Sequence, residues 1–394
     1  MPHVVSPKTK TYALVGGGSG GHIIPLLAVA AALKDIDSDC KIVHIGHKGD
    51  PLNNVTRESE VIDETYEVSA GKFRRYHSES IIKQAFDLKT IGLNVRDFFR
   101  FTKGYMESMR LLRHMQPCGM FMKGGYVCAS VGLAAGRLNI PYVTHDSDAM
   151  VSLAHKIIAK NARMHLTALS PDKYPSYDQS KILQTGVPVR SDFTPLTDKD
   201  KVDAKKALGY APTDKFVLIT GGGLGSQILN DAVIEAAPAL LSHDIKLRHL
   251  TGKKLYSGVI RQYDGANIAT GKDIVVEDFN SDMSSLSSAA DVVVTRAGMT
   301  AVSEFAAQKK ALIVVPNPYL TGGHQLKNAD YLQSADAIVR LDEDKLNGDV
   351  LEEAINLLMD DTQRQKELSE NLHAAAMPQA AERCARILVE LVGH

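Results

Sequence analysis

The chain has 394 residues, more than one hydrophobic core usually serves, so we expect two domains. Hydrophobic residues make up 44% and charged residues 23%, as in folded globular proteins, and the formal net charge of −1 argues against a nucleic-acid binder. Four cysteines without CxxC spacing predict free thiols and no zinc or iron-sulfur site. No stretch approaches the roughly 20 apolar residues of a membrane span, and the N-terminus has no apolar signal segment, which predicts a cytoplasmic protein without a transmembrane anchor.

The first half alternates short β-rich runs with helical patterns. The predicted strands are TYALVGG at 11–17, CKIVHIG at 40–46 and IPYVTH at 140–145. Predicted helices cover Ile24 to Leu33 and Met150 to Lys160. Strand, helix and strand in this order are typical of βαβ units on a mainly parallel sheet.

The same rhythm restarts in the second half, after a linker that we place near 186–195 because of Gly186 and Pro188. Further strands are predicted at KFVLITGGG (215–223), IKLRHLTG (245–252), DIVVEDF (273–279), DVVVTRAG (291–298) and ALIVVPNP (311–318). After Asp344 only helical patterns follow. We therefore expect two Rossmann-like domains, 1–188 and 189–375, with a closing helix at 376–394 that packs back toward the first.

A glycine-rich segment, Gly16 to His22, ends the first strand and precedes a helix. Glycines let backbone N–H groups approach a ligand and a helix N-terminus favours an anion, so we interpret it as a phosphate or sugar site, with a plain tight turn as the alternative. A dinucleotide fingerprint also needs an acidic residue at the end of the second strand. Here Asp50 lies well past that strand, which weakens a dehydrogenase interpretation.

The second half repeats the construction, with a glycine loop from Gly221 to Gly225 between a strand and a helix. Two such loops facing a cleft could hold one ligand, because open α/β sheets bind ligands at the carboxyl ends of their strands. Glu304 lies one turn into the helix that follows the strand at 291–298, where a carboxylate could accept both hydroxyls of a ribose; otherwise it is an exposed helix carboxylate. His324 and Gln325 open a later helix as further hydrogen-bond donors.

Taken together, these segments resemble the MurG family, the UDP-N-acetylglucosamine transferases that make lipid II of peptidoglycan from lipid I. The matching pieces occur in family order: GGGSGGHIIPLLAVAAAL, KGGYVCASVGLAA, IPYVTHDSD, GVPVRSD, GGGLGSQILND, DVVVTRAGMTAVSEF and VVPNPYLTGGHQLKNA. The resemblance implies the GT-B fold, two Rossmann-like α/β domains facing a central cleft. It also implies an inverting transfer without a bound metal or cofactor, from UDP-GlcNAc to an undecaprenyl-diphosphate-linked acceptor.

Site residues follow from the same resemblance. It implies Ser19, Gly20 and Gly21 at the donor diphosphate or at the acceptor, and His22 with the stretch from His145 to Asp148 on the acceptor side. Around UDP-GlcNAc it implies Arg190 and Gly223 at the diphosphate, Asn280 and Met299 at the uracil, Glu304 at the ribose and Gln325 at the sugar, with Thr300, Ala301, Val302 and Ser303 completing the stretch. The family usually has His-Glu-Gln-Asn where this chain has His145-Asp146-Ser147-Asp148. Another glycolipid acceptor or another UDP-sugar therefore remains an alternative.

An inverting transfer needs a base for the acceptor hydroxyl, and His22 is the first candidate because its ordinary pKa lies near neutral pH. Asp146 and Asp148 are rival bases. Together they also match a D-x-D pattern that binds a metal-nucleotide in other glycosyltransferases, but so short a pattern is common by chance. We predict no metal.

A locally basic and partly apolar stretch lies between 72 and 113. Its members are Lys72, Phe73, Arg74, Arg75, Ile81, Ile82, Lys83, Phe86, Lys89, Ile91, Arg96, Phe98, Phe99, Arg100, Phe101 and Lys103. Cationic and bulky apolar residues mixed in this way suit a protein resting on an anionic membrane surface, which for this family is the cytoplasmic face of the cell membrane. The alternative is that the apolar members form domain core and the bases a solvated rim.

Overall fold

The computed structural model describes residues 9–72 and 88–393. Its chain divides into two compact units, Met1–Arg190 with Gln379–His394, and Ser191–Pro378. Each unit has a parallel sheet covered by helices, so both are of the α/β class. Within the described ranges, no helix combines the length and the apolar character needed to cross a bilayer.

The first unit is built on a seven-stranded sheet in the order β3-β2-β1-β4-β5-β6-β7, with every pair parallel. The strands are β1 (Thr11–Gly16), β2 (Lys41–His47), β3 (Glu64–Val68), β4 (Gly119–Gly124), β5 (Tyr142–Asp146), β6 (Met164–Thr167) and β7 (Ile182–Gln184). Central strands such as β1 are apolar and inaccessible to solvent along most of their length, because helices cover both faces of a parallel sheet.

The helices of this unit are α1 (Gly20–Ile36), α2 (Asn53–Arg57), α3 (Leu88–Met115), α4 (Val127–Arg137), α5 (Leu153–Ile158) and the closing helix, which is numbered α14 (Ala380–Gly393). Helix α14 packs against α1 and β4. It buries Cys384, Ala385 and Leu388 in the same core as Leu26 of α1 and Phe121 of β4. The last 16 residues of the chain are therefore part of the first unit, Gln379–His394.

The second unit has a six-stranded parallel sheet in the order β10-β9-β8-β11-β12-β13. Its strands are β8 (Lys215–Thr220), β9 (Ile245–Leu250), β10 (Ile274–Glu277), β11 (Val292–Thr295), β12 (Ala311–Val314) and β13 (Val339–Arg340). Its helices are α6 (Asp198–Ala207), α7 (Gln227–Ser242), α8 (Tyr256–Gly265), α9 (Met283–Ala289), α10 (Met299–Ala307), α11 (His324–Ser334), α12 (Gly348–Asp360) and α13 (Thr362–Ala376). Short 3₁₀ turns occur at Ala159–Asn161, Pro171–Lys173, Gln179–Lys181, Thr321–Gly323 and Glu343–Lys345.

All eight predicted strands are present, but the predicted start of the first helix is wrong. The sequence pattern begins that helix at Ile24, whereas α1 begins at Gly20. The Ser19 carbonyl accepts hydrogen bonds from the N–H groups of His22 at 3.1 Å and Ile23 at 3.3 Å, so the glycines form the first helical turn. The N–H groups of Gly20 and Gly21 therefore have no partner within the helix, as at every helix start.

Gly225 provides a stability test of the second glycine loop. Its φ is +75°, and a Cβ there would lie 2.0 Å from the Thr251 carbonyl oxygen. We expect Gly225→Ala to lower the free energy of unfolding by about 3 kcal/mol, from backbone strain together with this contact. Urea unfolding of Gly223→Ala is the matched control, because a Cβ at Gly223 meets nothing within 4 Å. Equal stabilities of the two variants would contradict the close contact.

Candidate active site

The carboxyl ends of β1, β2, β4 and β5 carry the polar loops of the first unit. Glycines allow two of these loops to touch backbone to backbone: a Cβ at Gly125 would lie 2.5 Å from the Gly17 carbonyl oxygen. Gly125 has a φ of +86° and Gly18 a φ of +83°, both in the left-handed region that favours glycine. Ser19 and Gly20 are exposed on this surface and Gly21 is half-buried. The predicted acceptor segments therefore lie at the carboxyl edge of the first sheet.

His22 is held by the loop that precedes it. Its Nδ1 lies 2.7 Å from the Gly17 carbonyl oxygen and 3.2 Å from Ser19 Oγ. Because a carbonyl oxygen can only accept, the short contact with Gly17 places the ring proton on Nδ1. The other nitrogen, Nε2, then carries a lone pair, and it lies beside Gly124, where a Cβ would come within 2.8 Å of it. A neutral His22 in this tautomer has the lone pair that a general base needs.

Burial and a nearby positive charge keep His22 neutral. Burial and the nearby Lys123 ammonium lower the pKa of His22 to about 4, against the opposing effects of the Gly17 hydrogen bond and Asp148. Lys123 is itself only 3% exposed, and its Nζ donates a hydrogen bond to Ser147 Oγ at 2.6 Å. Burial lowers the pKa of Lys123 to about 8, although Asp148 and Asp146 oppose the change. Lys123 lies within a quoted motif, but its charge was not recognised from the sequence as part of the site.

Asp50 is a second residue that sequence reasoning missed. Its carboxylate accepts a hydrogen bond from the Gly18 N–H at 2.6 Å and another from the Leu52 N–H at 3.1 Å. The acid that follows β2 thus holds the glycine loop itself. A dehydrogenase would use such an acid for the ribose of its cofactor, so this geometry weakens that interpretation further.

Asp146 is not available as the base, which corrects one rival assignment. Its carboxylate is buried and accepts from Tyr177 Oη at 2.5 Å, from the Ser152 N–H at 3.2 Å and from His155 Nδ1 at 2.9 Å. Although burial opposes it, the carboxylate raises the pKa of His155, and His155 in turn lowers the pKa of Asp146. Asp146, the last residue of β5, and His155 therefore form a buried ion pair. Asp148, by contrast, is half-buried on the following loop and contributes to the field at His22.

His145 also lies in the core and not on a ligand surface. It is inaccessible to solvent, and its Nε2 donates to the Gly186 carbonyl oxygen at 2.8 Å. Burial and Lys123 lower the pKa of His145 to about 3, so it is neutral. It therefore ties β5 to the segment before the unit boundary. Among the described residues, no group of three or more His, Cys, Asp or Glu side chains is placed to hold a metal ion.

In the second unit the glycine loop follows β8 and leads into α7. Gly225 touches Gly252 of the neighbouring loop, since a Cβ at Gly252 would lie 2.6 Å from the Gly225 Cα. Ser226 caps α7 by accepting from the Leu229 N–H at 3.4 Å. Gly223 lies at the open part of the loop, and its neighbour Leu224 is 82% exposed. The loop is thus anchored at Gly225 and open at Gly223.

The N-terminus of α10 also lies at this edge. Gly298 precedes the helix without a side-chain cap, so the first N–H groups, from Met299 to Ala301, are not used by the helix. Beneath it, Arg296 forms a buried ion pair with Glu343. Thr300, Ala301 and Glu304 are half-buried. The side chains of Met299, Val302 and Ser303 are buried, so they reach a ligand, if at all, through the backbone.

Two further predicted contacts lie on the same edge. Gln325 is 9% exposed, and its side-chain oxygen accepts from the Asn317 N–H at 2.9 Å, which leaves its NH₂ group as the donor. Asn280 follows β10, where its side chain donates to Glu277 at 3.3 Å and accepts from the Asp282 N–H at 2.8 Å. Arg190 is the last residue of the first unit before the boundary. The strand order brings Gly223, Asn280, the start of α10 and Gln325 to one edge of the second sheet.

Family models match both units. The glycosyltransferase family 28 N-terminal domain matches residues 12–167, and the glycosyltransferase family 28 C-terminal domain matches residues 216–384. The crystal structure of MurG from Acinetobacter baumannii superposes with a TM-score of 0.72 at 23% identity, covering 97% of this chain and 99% of that one. The fold is therefore that of the GT-B glycosyltransferases.

Curated relatives extend over nearly the whole chain. The UDP-N-acetylglucosamine--N-acetylmuramyl-(pentapeptide) pyrophosphoryl-undecaprenol N-acetylglucosamine transferase of Bacillus licheniformis is 31% identical over 96% of this chain and 98% of its own length. The enzyme of the same name from Caldicellulosiruptor saccharolyticus is 32% identical over 95% of this chain and 96% of its own length. The similarity to these relatives therefore extends over both units.

Stability measurements should distinguish the structural role of Asp146 from that of Asp148. Asp146→Ala leaves His155 buried without its counter-charge, so we expect the free energy of unfolding to fall by about 3 kcal/mol at pH 6. Asp148→Ala, the matched control, should lose about 1 kcal/mol or less. Stabilisation through the raised pKa of His155 is complete below its ordinary value and is lost as the pH rises through about 9. The gap between wild type and Asp146→Ala should therefore narrow in urea titrations from pH 6 to pH 9; a constant gap would contradict the ion pair.

Proposed function

Because the chain belongs to the MurG family of glycosyltransferases, we propose that it transfers GlcNAc from UDP-GlcNAc to the C4 hydroxyl of MurNAc in undecaprenyl-diphosphate-MurNAc-pentapeptide. The reaction converts lipid I to lipid II in peptidoglycan synthesis. The observation that carries the proposal is His22, a neutral imidazole whose Nδ1 is fixed by Gly17 at 2.7 Å at the start of a helix in the expected acceptor unit. Similarity to the named relatives over 95% or more of the chain supports the same conclusion.

We assign the donor to the second unit. The N–H groups at the start of α10 and the open loop at Gly223 suit the diphosphate, since a helix N-terminus favours negative charge. Glu304, one turn into α10, would accept the ribose hydroxyls, and the NH₂ group of Gln325 would donate to a hydroxyl of GlcNAc. The uracil would lie against Asn280 and the backbone of Met299.

We assign the acceptor to the first unit. Ser19 and the unpaired N–H groups of Gly20 and Gly21 at the start of α1 would hold the acceptor, with Asp148 near its sugar. His22 Nε2 would take the proton of the C4 hydroxyl as that oxygen bonds to C1 of GlcNAc. The bond from C1 to the phosphate oxygen of UDP would break on the opposite face, which inverts the configuration. No step of this reaction requires a metal or a cofactor, because hydrogen-bond donors stabilise the departing UDP.

The activity is tested by incubating the protein with UDP-GlcNAc and lipid I. We expect released UDP and a product heavier by one HexNAc, unaffected by excess chelator. His22→Ala should lower turnover by about 10²- to 10⁴-fold, the usual contribution of a general base, while UDP still raises the melting temperature. His243→Ala is the matched control, since His243 has a 56% exposed side chain in the second unit and should retain full turnover.

Three results would contradict parts of this proposal. A preference for another UDP-sugar or another glycolipid would change the substrate. Full turnover of His22→Ala would move the base to Asp148. The acid limb of the rate profile gives a further check: with a pKa of about 4, His22 stays neutral and active from pH 8 down to about pH 5, and an acid limb near pH 6.5 would argue against it.

We also propose that the first unit rests on an anionic membrane surface at the cytoplasmic face. Helix α3 presents Val95, Phe98 and Phe99 at 53%, 56% and 68% exposure. Phe98 also lines an apolar groove with Phe101 and neighbouring residues of α3 and α4. Seven residues of the stretch from 72 to 113 lie outside the described residues, as do two side chains: Phe73, Arg74, Arg75, Ile81, Ile82, Lys83 and Phe86, and the side chains of Lys89 and Ile91.

A basic pocket adjoins this groove, and the two share Gly136 and Asn161. Lys160, Arg163 and Lys181 line the pocket. No carboxylate lines it among the described residues. Aromatic side chains next to clustered cations suit acyl chains below anionic headgroups, and each cation near such a surface contributes about 1 kcal/mol to binding.

Vesicle co-sedimentation tests the membrane proposal. Wild type should bind vesicles containing anionic lipid more tightly than neutral vesicles. Lys160→Glu with Arg163→Glu should weaken that binding by at least about tenfold, and Phe98→Ser with Phe99→Ser should weaken it as well. Lys254→Glu and Leu357→Ser, exposed positions of the second unit, are the controls. Binding that does not depend on anionic lipid would refute the proposal.

A further inference from the structure

A chain of three side chains connects the glycine loop after β1 to the loop after β4. His47 Nε2 lies 2.6 Å from Tyr126 Oη in a hydrogen bond, and the two rings are 4.6 Å apart. On its other side, His47 Nδ1 lies 3.3 Å from Asp50 Oδ2. The same Asp50 oxygen accepts the Gly18 N–H at 2.6 Å. Neither the family resemblance nor the proposed mechanism uses Asp50, His47 or Tyr126.

The chain has a definite hydrogen-bond direction. A carboxylate beside Nδ1 favours a proton on that nitrogen, so a neutral His47 has a bare Nε2. Nε2 can then only accept, and the proton in its bond to Tyr126 must come from the phenol. With its proton engaged in this way, the Tyr126 oxygen offers only lone pairs to a ligand.

The surroundings of His47 favour the neutral ring. Burial lowers the pKa of His47, although Asp50 on its own loop and Glu67 on β3 oppose that change. The third group that faces it, Tyr126, has a pKa raised by burial, so its phenol keeps its proton. At neutral pH the order is therefore carboxylate, Nδ1–H, Nε2 and phenol O–H, with each donor meeting an acceptor.

Tyr126 is placed where a ligand of the first unit can reach it. It precedes α4 and is half-buried, and its Cε1 lies 3.8 Å from the position of a Cβ on Gly18. Gly18, Ser19 and Gly20 are the exposed residues of the adjoining loop. A ligand lying on that loop therefore passes next to the phenol.

We propose that Tyr126 binds the glycosyl acceptor by accepting a hydrogen bond from a hydroxyl or amide N–H, and that His47 and Asp50 are positioning residues that set this direction. The inference rests on the proposed function for the identity of the acceptor. An outward lone pair repels an anion, so the partner is a neutral donor in the sugar or peptide part, and the acceptor diphosphate lies elsewhere on the loop. Tyr126 thus contributes to binding of the acceptor and not to binding of UDP-GlcNAc.

Asp50→Asn tests the direction because it removes the charge that favours a proton on His47 Nδ1. The amide oxygen can take the place of Oδ2, where it accepts the Gly18 N–H and still faces His47 Nδ1, while the NH₂ group takes the place of Oδ1 and loses the bond from the Leu52 N–H. A neutral oxygen favours the Nδ1–H tautomer less than a carboxylate does, so the Nε2–H tautomer, which donates to Tyr126 and turns the phenol proton outward, becomes more populated. Tyr126→Phe, by comparison, removes the contact altogether.

Steady-state kinetics with lipid I and UDP-GlcNAc test the proposal. Tyr126→Phe should raise the KM for lipid I roughly three- to tenfold, the effect of one hydrogen bond, with the KM for UDP-GlcNAc unchanged. Asp50→Asn should raise the KM for lipid I as well, but by no more than Tyr126→Phe does. In the Tyr126→Phe background, Asp50→Asn should add nothing further, because its effect passes through the phenol. ¹⁵N NMR of histidine, with His47 assigned by its loss in His47→Gln, should show an Nδ1–H tautomer in wild type and a larger Nε2–H population in Asp50→Asn.

Several outcomes would overturn the inference. An unchanged KM for lipid I in an active Tyr126→Phe enzyme would remove Tyr126 from the acceptor site. A further loss from Asp50→Asn in the Tyr126→Phe background, or a raised KM for UDP-GlcNAc, would mean that Asp50 only supports the loop. An Nε2–H tautomer in wild type would reverse the assigned direction. Wild-type protein that does not turn over lipid I would overturn the proposed function and with it the acceptor, whereas the histidine spectrum would still report the hydrogen-bond direction.

Discussion

Direct backbone contact between neighbouring loops is the constraint on which both units depend. Parallel strands end at one edge of a sheet, so their loops compete for the same space, and side chains there would push them apart. Glycine pairs remove that obstacle: Gly17 meets Gly125 in the first unit and Gly225 meets Gly252 in the second. The two units thus use one device, placed once between β1 and β4 and once between β8 and β9.

The chemistry of the first unit follows from that contact. The Gly17 carbonyl, held at the contact with Gly125, is also the group that bonds His22 Nδ1 at 2.7 Å. A shift of the loop would release the ring and with it the tautomer that leaves Nε2 bare. Asp50 holds the other side of the same loop through the Gly18 N–H. Backbone geometry therefore determines which nitrogen of His22 can accept a proton.

Much of the fold was predictable because buried parallel strands are unbroken apolar runs, as in β8 and β11. The strands that escaped prediction are short or lie at sheet edges, such as β7 and β13, or carry few β-branched residues, such as β4 with its GMFMKG sequence. The start of α1 was missed because glycine is a poor helix former, so Gly20 and Gly21 resemble a loop. In α1 the carbonyl of Ser19 determines the helix start.

The residues of the candidate site that lie in short motifs were predictable from the sequence. Contacts between residues that are distant in sequence were not. The glycine loops, Glu304 and Gln325 follow strands directly, and so their edge of the sheet could be inferred. Asp146 and His155 are nine positions apart on different elements, and nothing in the sequence shows that the carboxylate is occupied by the histidine. Asp50 lies 32 positions from the Gly18 N–H that it accepts, so only the folded β2 loop brings them together.

His22, His47 and His155 show how neighbouring charges affect the protonation of histidines when burial lowers the pKa of each of them. Burial lowers the pKa of each of them, yet only His155 has a raised pKa, because the Asp146 carboxylate bonds directly to its ring. Burial and the Lys123 ammonium both act against a charge on His22, whereas for His47 burial outweighs the opposing effect of Asp50 at 3.3 Å. Of these three histidines, one is therefore a cation and two are neutral, and a neutral ring is needed both to accept a proton and to orient a phenol.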